Sequence, residues 1–369
     1  MTALALHARD LDFYVPAFEV RLQEASLPKD VLRDIMQVTY KDDLESIDTF
    51  DIDINNWDDD KRDFKFNDST LFNPGKKVEI RMGYRQGKSD LPVMIRGKIT
   101  SLKPSFPAEG NPKLTISGQN LLHDLRIKQN TKEFFKKTDV AIFEEVTKTL
   151  KLAPEVAPGV VKQEFDYMLQ DNEYDILFLL RLARRQGYEL LVEEPSKGKS
   201  KLVYGPAQAG GRPTYKLVWG KSLIEFQPEL STADQVGKVT VKGWDSVNKK
   251  AIKVTVTRDQ LKSKRGVGAK GGQAEIEKSF EGREEVLTNR PVSNVAEARR
   301  LATEVLSKNA REMVKGTGST IGVTDLRAGS KVEIEGLGAR YSGTYVVTST
   351  THTIGDGGYT TQFNCRRED

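Results

Sequence analysis

Residues 48–64, DTFDIDINNWDDDKRDF, gather the groups in this chain most able to do chemistry. Asp51, Asp53 and Asn55 alternate like the first ligands of a calcium loop, and Asp58, Asp59 and Asp60 could in principle serve as glycosidase carboxylates. A calcium loop also needs glycine at its sixth position and a bidentate glutamate at its twelfth. Counted from Asp51 those positions are Asn56 and Arg62, so a cation stands where the closing carboxylate belongs. Phe50, Ile52 and Ile54 alternate with the polar residues, which is the period of a half-buried strand. The expectation is a strand with Asp51 and Asp53 facing water or a channel, ending in a solvated acidic turn. Nothing in the sequence sets a second carboxylate opposite Asp58–Asp60, and charge runs are usually solvated.

The remaining candidates are weaker. His7, His123 and His352 are scattered without metal-ligand spacing; His352 lies in a strand-like run, TSTTHTIG, where a structural or interface role is the default. Cys365 is the single cysteine, so an internal disulfide is excluded and a structural zinc site lacks partners. Near the end of the chain it reads as inert packing. Ser342, in YSGTY, lacks the context of a nucleophile elbow. GVGAKGG (266–272) evokes a phosphate loop but lacks its Lys-Ser/Thr ending. It reads as part of a mobile basic loop, 261–273, able to touch an acidic surface on a neighbour or a cargo. No catalytic, cofactor-binding or metal residue is expected, and no cofactor.

Composition narrows the class. The 57 basic and 53 acidic residues leave a net charge of +4, too balanced for a dedicated nucleic-acid binder. Acidic residues cluster between Asp42 and Asp63, and 261–271 is basic and glycine-rich. No apolar run reaches the ~20 residues of a spanning helix, and MTALALHARD does not resemble a secretory signal. A soluble chain of two or three domains, made in the cytoplasm without membrane insertion, is expected.

These residues need elements to hold them, and most of the sequence predicts strands. AFEVRLQEA (17–25), DIMQVTY (34–40), TFDIDIN, KKVEIRMGY (76–84), VMIRGKITSLKPSF (93–106) and KLTISGQN (113–120) alternate or favour strand. Two helices follow. TDVAIFEEVTKTLKL (138–152), capped by Thr138 or Asp139, aligns Ile142, Val146 and Leu150. DNEYDILFLLRLARRQGY (171–188) aligns Ile176, Leu179, Leu180 and Ala183 and stops at Gly187. LAPEVAPGV (152–160) between them predicts a turn, YELLVEE (188–194) a strand, and PSKGKSK an exposed turn. From 217, strands resume in KLVWGKSLIEFQPEL, KVTVKGWD and KKAIKVTVTRD. A third helix over 293–313, begun by Ser293 or Asn294, carries a stripe of Val295, Ala298, Ala302, Val305 and Leu306. Strands end the chain.

Two hairpins match across this distance. LFNPGKKVEIRMGY with VMIRGKITSL parallels LRAGSKVEIEGLG with GTYVVTSTTH: Val78-Glu79-Ile80 answers Val332-Glu333-Ile334, and Thr100-Ser101 answers Thr348-Ser349. Chance likeness between hairpins competes with duplication. Duplication predicts a mainly β fold with an α+β insert: two tandem copies of one small β-barrel at 1–127 and 217–369, the second carrying helix 293–313, around an α/β module with two helices at 128–216. Three such chains could close into a ring of six similar units, able to meet a six-fold partner on one side and a three-fold partner on the other.

FDIDINNWDDD with LFNPGKKVEIRMGY, YDILFLLRLARRQGYELLVEE, VKGWD (241–245), ARRLATEVLSKNAREM and GSKVEIEGLGARYSGTYVVTSTTHTIGDGGYTTQF together resemble, in order, the late-control protein D family of phage tail hubs and the front portion of VgrG spike proteins. The resemblance implies a structural homotrimeric hub with two tandem tube-like β-barrels per subunit, in the baseplate of a phage tail or contractile injection particle, assembled in the bacterial cytoplasm. Its partners would be a hexameric inner tube protein, a trimeric spike and other baseplate proteins, with an effector or DNA as cargo through a lumen. VgrG chains continue into a needle; this one stops at Asp369, so a separate spike polypeptide is expected. The rival expectation from another class is a tail-tip cell-wall hydrolase component, for which no segment is left over.

Overall fold

Period-two alternation becomes strand wherever one face finds a core. The computed structural model describes residues 4–5, 15–85, 90–148, 152–195, 198–206, 213–245, 248–261, 272–288, 292 and 294–368. His7, Leu150, Ser293 and positions 262–271 of the basic segment lie outside the described residues.

The N-terminal part holds β1 (Leu4–Ala5), β2 (Val15–Leu22), β3 (Ala25–Ser26), a short helix α1 (Lys29–Asp34), β4 (Ile35–Asp43), β5 (Thr49–Asn55), β6 (Trp57–Asp58), β7 (Asp63–Phe64), β8 (Lys77–Arg85), β9 (Val93–Ser105) and β10 (Lys113–Asn120). The helix α1 ends on Asp34, so the strand expected over 34–40 begins one residue later, at Ile35. Phe50, Ile52 and Ile54 are buried on one face of β5 and pack against Val38, Tyr40, Ile80, Ile95 and Ile116. Burial of each such side chain contributes about 1.5–3 kcal/mol.

An insert follows: β11 (Gln129–Thr138), α2 (Asp139–Thr147), β12 (Ala153–Val156), β13 (Glu164–Tyr174), α3 (Asp175–Arg185), β14 (Glu189–Glu193) and β15 (Lys201–Gly205). Thr138 caps α2 by accepting from the Ala141 N–H at 3.2 Å. Two expectations need correction here. Residues 171–174 extend β13, where pairing with β11 holds the backbone open up to Tyr174, so α3 starts only at Asp175. The proline-rich 152–160 contains β12, an edge strand parallel to β15, the position where a proline costs no ladder bond. Gly187, at φ 69°, ends α3 as expected.

The C-terminal part comprises β16 (Tyr215–Val218), β17 (Leu223–Leu230), β18 (Lys238–Asp245), β19 (Lys250–Thr257), α4 (Gln273–Lys278), β20 (Glu284–Leu287), α5 (Val295–Arg311), β21 (Val314–Ile321), β22 (Lys331–Glu335), β23 (Gly343–Gly355) and β24 (Gly358–Arg367). Gln273 therefore begins a helical turn. KVTVKGWD and KKAIKVTVTRD stay out of the large sheet and pair with β20 in the order β19-β18-β20. Asn294 caps α5, accepting from the Glu297 N–H at 2.8 Å. Ala298, Ala302 and Leu306 press α5 onto this small sheet, the two alanines letting the backbones come close; Val295, expected in the stripe, is exposed.

Among the described residues the large sheet has 14 strands, and the same order occurs in it twice. β4-β5-β10-β9-β8 in the first unit answers β17-β21-β24-β23-β22 in the second, in the same chain order. Irregularities coincide too. Met36 is the extra residue where β4 meets β5, and Ile224 where β17 meets β21. Thr100 is the extra residue of β9 against β10, and Thr348 of β23 against β24. Val78-Glu79-Ile80 and Val332-Glu333-Ile334 hold the same places in β8 and β22, apolar side chains buried and the glutamates half-buried. Matching β-bulges are specific marks, because each displaces the ladder by one residue. The units differ at one flank: β2 runs antiparallel to β8, β16 parallel to β22.

Candidate functional site

The two units meet by backbone pairing. β4 joins β23 antiparallel from Asp43 opposite Ser349 to Gln37 opposite Gly355. β23 is long enough to hold β24 along one edge while its other edge passes from β22 to β4. A buried polar cluster lies at this internal joint. Asp42 accepts from the Ala328 N–H at 3.0 Å and from the Thr350 hydroxyl. The Arg327 guanidinium lies 4.5 Å from the Tyr40 ring centre and 4.0 Å from Asp42, and donates to the carbonyls of Thr324 at 3.1 Å and Met94 at 3.2 Å. Burial opposes its charge, but Tyr40 and Asp42 raise its pKa above the ordinary value. His352, opposite Tyr40, is fully buried. Burial and then Arg327 hold its pKa well below the ordinary value. The neutral ring fits its surroundings: Nε2 is 3.0 Å from the Leu326 carbonyl and Nδ1 3.0 Å from the Tyr359 hydroxyl. Asp48 is nearby; burial and then Asp42 raise its pKa, and Asn120 donates to it at 2.8 Å.

Ion pairs tie the insert to both units. Arg96 of β9 bridges Glu79 at 2.8 Å and Glu194 at 2.9 Å, and Arg366 of β24 reaches Glu189 at 3.5 Å. Burial pushes the Glu189 carboxyl up to about 7. Arg185 of α3 pairs with Glu297 of α5 at 2.9 Å.

Two edges equivalent to the internal joint stand open. Past their bulges at Thr100 and Ile224, β9 pairs only with β10 and β17 only with β21, among the described residues. Each open edge carries a proline. The bond from Ser231 N–H to the Met313 carbonyl fixes the alternation along β17, so Pro228 turns its missing donor outward. Likewise the bond from Asn56 N–H to the Pro112 carbonyl turns Leu114 towards β5, and Pro104, opposite Leu114, faces away from β10. Edge prolines of this kind discourage indiscriminate strand pairing.

The residues singled out by sequence are dispersed. Asp51 and Asp53 are half-buried on the face opposite Phe50, Ile52 and Ile54, and accept from Ser117 and Thr115 of β10. Asp58 closes a turn by accepting from Lys61 N–H at 3.1 Å, which lowers its pKa, and Asp59 and Asp60 are exposed. No group of three His, Cys, Asp or Glu among the described residues could hold a metal. Cys365 is buried and burial raises its thiol pKa. Ser342 accepts from Leu337 N–H at 3.0 Å in a turn, and His123 lies in a 3-10 turn, Leu121–Arg126. Asn56, considered only as a calcium position, is fully buried and accepts from Phe66 N–H at 2.9 Å, organising the connection that follows β5. Sequence reasoning missed Arg327 and Asp42, and passed over Pro104 and Pro228, although a proline inside a predicted strand already signals an edge.

Residues 15–356 match a family described as Alg8 N-terminal domain. No curated protein matches the sequence. Among solved structures, the 43 kDa tail protein of prophage MuSo2 from Shewanella oneidensis is similar with a TM-score of 0.70 at 15% identity, covering 95% of this chain and 98% of that one. A tail protein from Neisseria meningitidis MC58 gives 0.69 at 16%, covering 96% and 97%. A type VI secretion system component from Escherichia coli gives 0.55 at 12%, covering 95% of this chain and 77% of that chain. At such identities the likeness is one of fold.

Proposed function

The chain belongs to the Alg8 N-terminal domain family, and from that premise we propose that it is a structural hub of a contractile tail or injection-system baseplate. It works as a homotrimer that adapts a six-fold inner tube to a three-fold spike. The observation that carries this reading is the repeated strand order with its coincident bulges at Thr100 and Thr348. One chain offers two equivalent units, so three chains offer six. The similar folds of proteins named as tail and type VI secretion components support it.

The finer kinship is with late-control protein D and the front portion of VgrG. The division into a first barrel at 1–127, an insert at 128–216 and a second barrel at 217–369 is part of the same reading. The protein catalyses nothing; its partners are itself, the tube, the spike and neighbouring baseplate proteins, and it resides in the particle. No helix among the described residues is long and apolar enough to cross a membrane. Light scattering on the purified protein tests the proposal directly: the mass of three chains is expected, with negative-stain images showing six lobes. A monomer at assembly concentrations overturns it, and release of fragments from purified cell wall would favour the tail-tip hydrolase instead.

A further inference from the structure

The internal joint is a template for a second one. The shared register places Leu230 of β17 where β4 has Asp42, and Glu229 where β4 has Lys41. It places Leu102 of β9 where β23 has Thr350, and Lys103 where β23 has Thr351. We propose that the open edge of β17 in one chain pairs antiparallel with the open edge of β9 in the next chain, in the register that β4 and β23 use within a chain. The inference rests on the ring reading above and assigns its seam.

Side-chain chemistry fits this register. Leu102 meets Leu230, and Lys103 meets Glu229, so an apolar rung and an oppositely charged rung fall side by side without adjustment. Opposite charges directly across a ladder stabilise it, and a one-residue slip would destroy the match. The next rung brings Pro104 against Pro228. Neither can donate, so this rung contributes no hydrogen bonds. The same rung of the internal joint holds Tyr40 against His352, above the buried Arg327. The seam between chains is therefore a broken ladder, and the joint within the chain a continuous one. In the unassembled chain the two prolines keep these edges from recruiting strands at random.

Lys103 and Glu229 would form a rung without mutual hydrogen bonds, where Cα atoms stand about 4.5 Å apart, a separation a disulfide can span. The full-length chain carrying Lys103→Cys with Glu229→Cys, oxidised after assembly, is expected to run as a covalent trimer that reverts to monomer on reduction. Either single variant should stay a monomer on the same gel. Lys103→Cys with Leu230→Cys places the thiols on opposite sheet faces and should lose the covalent trimer band. As a second measurement, Lys103→Glu should shift the mass from trimer to monomer, and Lys103→Glu with Glu229→Lys should restore it. A protein with trimeric mass that neither crosslinks nor responds to charge reversal overturns the seam and leaves the ring reading standing. A wild-type chain that is monomeric overturns both. Covalent products growing beyond three chains overturn closure.

Discussion

Arg327 shows how much one side chain can hold. It is buried between the units, donates to carbonyls of both, and lies beside Asp42. Arg327→Ala leaves that carboxylate buried with a reduced set of partners, and breaking a buried charge pair in this way costs about 3–5 kcal/mol; the urea midpoint should fall accordingly. Glu189 makes a pH-dependent contribution. Its carboxyl titrates near 4.5 when unfolded and about 7 when folded, so in that window the folded chain keeps a proton the unfolded chain has released. Stability from this group is present at the acid end and is lost as pH rises through 7, by about 3 kcal/mol. Glu189→Gln should flatten that part of the urea-midpoint profile between pH 5 and 8; an unchanged slope would assign it elsewhere. The candidate site was only partly legible at this scale. Pro104 and Pro228 announced edges in the sequence. Arg327 and Asp42 did not, because their partnership exists only after two units far apart in the chain have been brought together by β4 and β23.

Close approach governs the strands. Gly118 of β10 lies under the Phe50 ring, and a Cβ there would stand 2.3 Å from the Lys98 carbonyl oxygen. The backbone oxygen cannot move aside, so Gly118→Ala should cost about 1–3 kcal/mol, measured by urea denaturation. Gly316 and Gly318 lie under Phe226 and Phe363 in the same manner, so the second unit should respond similarly. Strands with one buried face were legible from their alternation, as β5 and β10 illustrate. β11 was not: in QNTKEFFKKT only Phe134 is buried, so a solvated ribbon leaves no period to read. Residues 171–174 were expected in the helix that follows, and long-range pairing with β11 keeps them extended. The α5 stripe was legible, but the small sheet it covers was not, since nothing local distinguishes β18 and β19 from strands of the large sheet.

At the scale of the whole molecule, the two kinds of joint should part under different stress. The internal joint has a continuous ladder and a buried ionic cluster; the seam proposed between chains has a rung without donors. Dilution in mild urea should therefore release folded monomers before the helices of the insert melt, so that mass falls from trimer to monomer ahead of the far-ultraviolet dichroism. Coincident loss of both signals would show the seam to be as firm as the internal joint. The balanced net charge of +4 supplies no strong repulsion to drive that separation, which leaves strand pairing as the deciding contact.

Tyr40 facing His352, and prolines at the answering places on β9 and β17, have a consequence for how a ring of the proposed kind can change over generations. A ring of identical short subunits must use one joint everywhere, so any substitution there is imposed all the way round. Tethering two copies in one polypeptide lifts that restriction: a residue that tightens the covalently linked neighbours leaves the other boundary untouched, and mutation can adjust cohesion and release separately.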